Sequence, residues 1–246
     1  VVGFHVCLMG PSWDMAKLAL FSAGAAPTLM GTLWGYEPAL SLNPAPTLCG
    51  TLLCDRGEYL SRGAKQTGMV LLPCESYTAP YRPDEKGIVE VLHRITKDQQ
   101  FLFVPGAIDA RRAELELRRF NPDKAMLSLP EFVRYLYVLF TAYNLSADRE
   151  HRLDAHMRAA GVYPSPAGLW HWGHDMGIGY RRAVPFSDLS SLLMKGTGRV
   201  RRDGVFFGGM QYDSQIIQNE AWTTSARNFG GQNIECRFFP GSVRKI

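Results

Sequence analysis

Two carboxylates stand in contrasting local settings. Asp55 ends the short apolar run Leu52-Leu53-Cys54 and precedes a turn at Gly57. Glu90 lies 35 residues further on, after a loop holding Pro80 and Pro83. It sits in the opening turns of a segment whose Ile88, Val91, Leu92 and Ile95 recur at helical spacing. An acid at a strand end and another on a later helix can converge on a divalent metal, as two-metal phosphoryl transfer requires. Mg²⁺ takes carboxylate oxygens and keeps several waters, so few protein ligands suffice. Plainer roles exist for both: Asp55 as a turn cap, Glu90 on a solvated helix face. Lys86 and Arg94 lie four residues either side of Glu90, on the same helix face. They suit either phosphate contact or ordinary ion pairing. Arg56 follows Asp55 directly, at the rim of any site there.

Other groups offer weaker chemistry. His171, His174 and Asp175 have a spacing that zinc accepts, but no cysteine is near. Asp14 follows Pro11-Ser12-Trp13, where a helix begins, and favours the positive helix end. Asp55-Arg56-Gly57 lacks the following Lys and Ser of a phosphate-cradling nucleotide loop.

The elements that must position these residues alternate in type. Val1 to Met9 is apolar and reads as a strand. Pro11 to Ala23 reads as a helix stopped by Gly24. Thr51 to Cys54 and Met69 to Leu72 read as strands, and Glu58 to Gln66 and Glu85 to Phe101 as helices. This alternation indicates an α/β sheet. After Pro105-Gly106 the chain becomes charged, with Arg111-Arg112 and Arg118-Arg119 around Glu114 and Glu116. Ser128 to Tyr143 reads as a helix, with Ser128 and Glu131 forming a capping box. From Gly196 the pattern is β-like. Asp203-Gly204 and Gly208-Gly209 are turn signals, and Gly230-Gly231 separates a further pair of strands ending at Phe239. A small antiparallel barrel is the expectation there.

Composition sets outer bounds. A chain of 246 residues, 46% hydrophobic, can bury a sizeable core in one large domain or two smaller ones. No apolar run reaches the length of a membrane span, so no membrane partner is expected. The five cysteines show no CxxC pair and read as free thiols in a reducing cytosol. Net charge is +4, unevenly spread. From Arg181 onward ten Lys or Arg face five acids, leaving +5 there and −1 in everything before. A basic tail beside a near-neutral body fits contact with phosphates; a merely basic solvated surface is the alternative.

Around Cys54-Asp55-Arg56-Gly57-Glu58-Tyr59 and Pro83-Asp84-Glu85-Lys86-Gly87-Ile88-Val89-Glu90, the sequence resembles the retroviral-integrase-like DDE transposases. Within them it is most similar to the bacteriophage Mu and TnsB group. Val1-Val2-Gly3-Phe4-His5, Leu102-Phe103-Val104-Pro105-Gly106, Tyr143-Asn144 and Trp170-His171-Trp172-Gly173 extend the likeness. Asp203 to Tyr212 resembles the first hairpin of the Mu-type C-terminal barrel.

The resemblance implies α/β plus β architecture in three segments. Residues 1–104 would be an N-terminally truncated RNase H-like catalytic core, 105–195 a helical connector and 196–246 the barrel. It implies Asp55 and Glu90 as the second and third catalytic acids and as ligands of Mg²⁺, for which Mn²⁺ can substitute. Lys86, Arg94, Arg56, Arg199, Arg201 and Arg202 would contact DNA. Trp172-Gly173 would form a structural turn. The implied activity is 3′-end cleavage and strand transfer by a bacterial, cytoplasmic protein that joins the nucleoid when bound to DNA. Implied partners are mobile-element end DNA, target DNA, further copies of the chain on DNA and an AAA+ ATPase. The first catalytic aspartate of the family has no counterpart here, so the chain reads as a fragment, inactive alone. The alternative is a non-catalytic DNA-binding or architectural protein derived from a transposase.

Overall fold

A computed structural model describes residues 1–8, 10, 12–36, 42–43, 47–54, 71–72, 74–77, 92–93, 104–106, 122–178 and 181–244. Along these the elements are α1 (Trp13–Gly24), α2 (Pro27–Trp34), β1 (Leu48–Cys49), β2 (Thr51–Cys54), β3 (Cys74–Tyr77), α3 (Leu129–Ser146), α4 (Ala155–Ala159) and α5 (Pro166–Asp175). There follow β4 (Arg181–Arg182), α6 (Phe186–Leu189), β5 (Met194–Arg201), β6 (Gly204–Phe207), β7 (Met210–Tyr212), α7 (Gln215–Asn219), α8 (Trp222–Phe229) and β8 (Asn233–Phe238). They group into two compact units, one of residues 1–48 with 181–246, the other of 49–180.

In the first unit, Ser12 caps α1 by accepting from the Met15 N–H, and Asp14 pairs with Lys17 at 2.7 Å. Asp14 therefore serves the helix start. Residues 1–8 form no strand; this segment packs on α1 instead. The Phe4 N–H donates to Ser22 Oγ at 2.8 Å, and Phe4 stacks on Trp34. Leu18 and Phe21 of α1 are fully buried, and the Phe21 ring meets Phe239. His5 meets the same Phe239 edge-on at 5.3 Å.

The sheet of this unit is antiparallel, in the order β7-β6-β5-β8. Strand β5 alternates strictly: Lys195, Thr197, Arg199 and Arg201 are exposed, while Gly198 and Val200 are buried. That is the two-residue period of a half-buried strand. Val200 packs with Val205, Ile217 and Ala226, joining the sheet to α7 and α8. The two glycines on the inner face make room for bulk. A Cβ at Gly196 would lie 2.5 Å from the Phe207 ring, which packs against Phe238. One at Gly198 would lie 2.4 Å from Cys236 Sγ. Gly208 and Gly209 both have positive φ, as the two-residue β6–β7 turn demands. The preceding hairpin turns at Arg202-Asp203, one residue earlier than Asp203-Gly204 suggests, because Gly204 already pairs with Arg201.

Among the described residues the sheet is open, not a closed barrel. Between β7 and β8 the chain forms α7 and α8, so the segment before Gly230-Gly231 is helical rather than a strand. Ala221, at φ 55°, starts α8, and Trp222 and Ala226 recur four residues apart on the side that meets the core.

In the second unit β2 and β3 pair in parallel, with Thr51 opposite Cys74 and Cys54 opposite Tyr77. The second strand lies later than the apolar run Met69 to Leu72 suggests; Leu71 and Leu72 are buried but outside any strand. The anticipated helix Glu58 to Gln66 lies outside the described residues. Of Glu85 to Phe101 only Leu92 and His93 are described, and both are helical. Helix α3 starts as its sequence predicts: Glu131 Oε2 accepts from the Ser128 N–H and hydroxyl, both at 2.7 Å. These bonds hold the Glu131 carboxyl below its usual range. Trp170 and Trp172 lie within α5, capped by Ser165, so the expected Trp-Gly turn is helix instead.

Two consequences follow from the first unit. Gly198→Ala should destabilise by about 1–3 kcal/mol, and Cys236→Ala in the same chain should recover part of that loss in denaturant melts. Burial lowers the His5 pKa. The unfolded chain then binds the proton more tightly, so stability is intact above the ordinary histidine value of about 6.5 and declines as pH falls below it. Thermal melts from neutral to mildly acid pH should show a smaller decline for His5→Phe.

Candidate nucleic-acid interface and acidic pair

Three of the residues expected to touch DNA, Arg199, Arg201 and Arg202, converge where β5 ends. Arg199 and Arg201 leave the outer face of β5, and Arg202 stands on the hairpin tip. Together with Arg227, they line an open concavity of about 930 Å³, bounded also by Asp203 and Gly231. Arg227 belongs to the last turn of α8, where the helix dipole favours a cation. Its Nε donates to the Arg202 carbonyl at 3.2 Å, tying α8 to the hairpin tip. The sequence alone assigns Arg227 to the basic tail without placing it in the site. The available signal is the four-residue spacing of Trp222 and Ala226, which puts Arg227 on a helix beside the β5 arginines.

Charge balance within the concavity is strongly positive. Among the described residues its one acid, Asp203, lies 3.6 Å from Arg202 Nε, and both side chains are well exposed. The Arg201 guanidinium lies over the Phe206 ring, 4.9 Å from its centre. Such stacking fixes the plane of the guanidinium while leaving its N–H edge free to meet oxygen acceptors. Planar, delocalised cations in this disposition suit phosphate oxygens.

The acidic pair is positioned less completely. Cys54, the last residue of β2, is buried, and its thiol donates to the Ser76 carbonyl at 3.6 Å. Asp55 is the next residue in the chain. Asp55, Arg56, Lys86, Glu90 and Arg94 all lie outside the described residues. Among the described residues no group of three or more His, Cys, Asp or Glu could hold a metal ion. His171 and His174 are exposed on α5, and His174 Nδ1 lies 4.0 Å from Asp175. Cys7, Cys49, Cys54 and Cys236 carry thiols rather than disulfides, and burial raises the pKa of Cys49 and Cys236. None of the described helices is long and apolar enough to cross a membrane.

Comparison with known proteins bears on the first part of the chain. No curated protein matches it. Residues 1–106 match the family model described as the TnsB C-terminal domain. That stretch spans both Asp55 and Glu90, and over it the chain is similar to TnsB-type transposases.

Proposed function

We propose that the intact protein is a DDE transposase that cleaves the 3′ ends of a mobile element and joins them to target DNA. The observation that carries this reading is the match over residues 1–106. Asp55 follows β2 of a parallel pair, and parallel sheets gather ligands beyond the carboxyl ends of their strands. The donor chemistry of Asp55 and Glu90 suits Mg²⁺, since carboxylates are hard oxygen ligands. Magnesium held there would activate water and stabilise the leaving oxygen. In the first step water attacks the scissile phosphorus and the bond to the 3′ oxygen breaks, freeing a 3′-OH. In the second, that hydroxyl attacks a target phosphodiester, forming a new P–O bond to the element end as the target strand's own 3′ O–P bond breaks and its oxygen leaves as a 3′-OH. Lys86 and Arg94 hold a nearby phosphate, and Arg56 stands at the rim. The family's acidic set has one further aspartate, to which no residue of this sequence corresponds. Assembly as an oligomer on element-end DNA with an AAA+ ATPase belongs to the same proposal.

A second reading is favoured by the arginine-lined concavity, which needs no acid to bind DNA: a non-catalytic, transposase-derived DNA-binding protein. The two separate in a nicking assay on element-end DNA with the intact protein. Under the transposase reading, Mg²⁺ or Mn²⁺ supports nicking, and chelation abolishes it. Asp55→Ala and Glu90→Ala should each fall to background while still binding DNA. Unchanged nicking in Asp55→Ala removes that residue from the mechanism; absence of nicking by the intact protein leaves the binding reading.

A further inference from the structure

The outer face of β5 continues well beyond the arginine concavity. A second concavity of about 270 Å³ is lined by Thr197, Arg199, Arg201, Phe206 and Asn233 among others. A third, of about 370 Å³, is lined by Lys195, Thr197, Asn233 and Glu235. Adjacent concavities share lining residues: Thr197 and Asn233 between the third and second, Arg199 and Arg201 between the second and the first. They therefore form one trough along β5 from Lys195 to Arg202. Among the described residues its acids are Asp203, beside Arg202, and Glu235, which is shared by Lys195 at 3.3 Å and Arg237 at 3.2 Å, so two cations balance that carboxylate.

Spacing along this trough is regular. Outward residues of a strand recur about every 6.7 Å, and Lys195, Arg199 and Arg201 occupy three of four successive outward positions, with Thr197 between. One extended nucleic-acid strand presents its phosphates singly, in a line, at a similar interval. The Arg201–Phe206 pair adds a flat cationic plate on the same face, and bases stack on such plates whatever their identity. We propose that the outer face of this sheet binds a single DNA strand, with β5 cations on successive phosphates and the Arg201–Phe206 plate under a base. This rests on the reading that the chain handles DNA, and adds which form of DNA the tail takes.

Fluorescence anisotropy of the full chain with labelled oligothymidylate, and with a duplex of equal length, tests it. Oligothymidylate should bind more tightly than duplex. Arg199→Ala with Arg201→Ala should weaken it at least about fivefold. The same pair should lower the slope of log affinity against log salt by about 1.4, at roughly 0.7 for each single-strand phosphate that the two arginines neutralise. Arg201→Lys, which keeps the charge but removes the plate, should weaken oligothymidylate binding and leave duplex binding unchanged; Phe206→Leu should behave alike. Equal or tighter duplex binding overturns this inference alone, as does wild-type oligothymidylate binding by the variants. No binding to either form overturns it together with the DNA-handling role of the tail, while nicking by the intact protein still decides the transposase reading.

Discussion

The alternation of β5 is the constraint on which the C-terminal sheet depends. One side of the strand must be small enough for Phe207, Phe238 and Cys236 to close over Gly196 and Gly198. Val200 then anchors the strand against α7 and α8. Because successive side chains point to opposite faces, the same register sends Lys195, Arg199 and Arg201 outward. A slip of one residue would bury the arginines and expose Val200. The hydrophobic core and the cationic face are thus two consequences of one pairing, and neither can be shifted without the other.

The two units carry different features of the proposed function. The unit of residues 49–180 holds the parallel pair whose first strand leads into Asp55. The other holds the arginine face. The proposed transposase reading uses both: electrostatic contact with the phosphate backbone for affinity, and carboxylates for strand transfer. The similarity to the TnsB C-terminal domain spans residues 1–106, whereas the arginine concavity is built from residues 199–231.

Local signals make some elements legible and mislead at others. The capping box at Ser128 and Glu131 and the glycine pair at 208 and 209 act within a few residues, and the structure uses both as their sequences suggest. Strand β3 is obscured because the apolar run ending at Leu72 outweighs Cys74-Glu75-Ser76-Tyr77, a strand defined by pairing with β2 rather than by hydrophobicity. The barrel expectation fails at Trp222-Thr223-Thr224, residues that favour strands in isolation but lie in α8 because Trp222 and Ala226 pack on Val200 and its neighbours. Arg227 is hidden for the same reason, being 25 residues from the Arg202 carbonyl it bonds. Asp55 and Glu90 are legible as a pair only through their sequence contexts.

The most direct test of the account is a structure of the intact protein on element-end DNA with Ca²⁺ in place of the catalytic ion. The account predicts carboxylate oxygens of Asp55 and Glu90 coordinating a common cation against the scissile phosphodiester. Two carboxylates facing apart, with no cation shared between them, would contradict it.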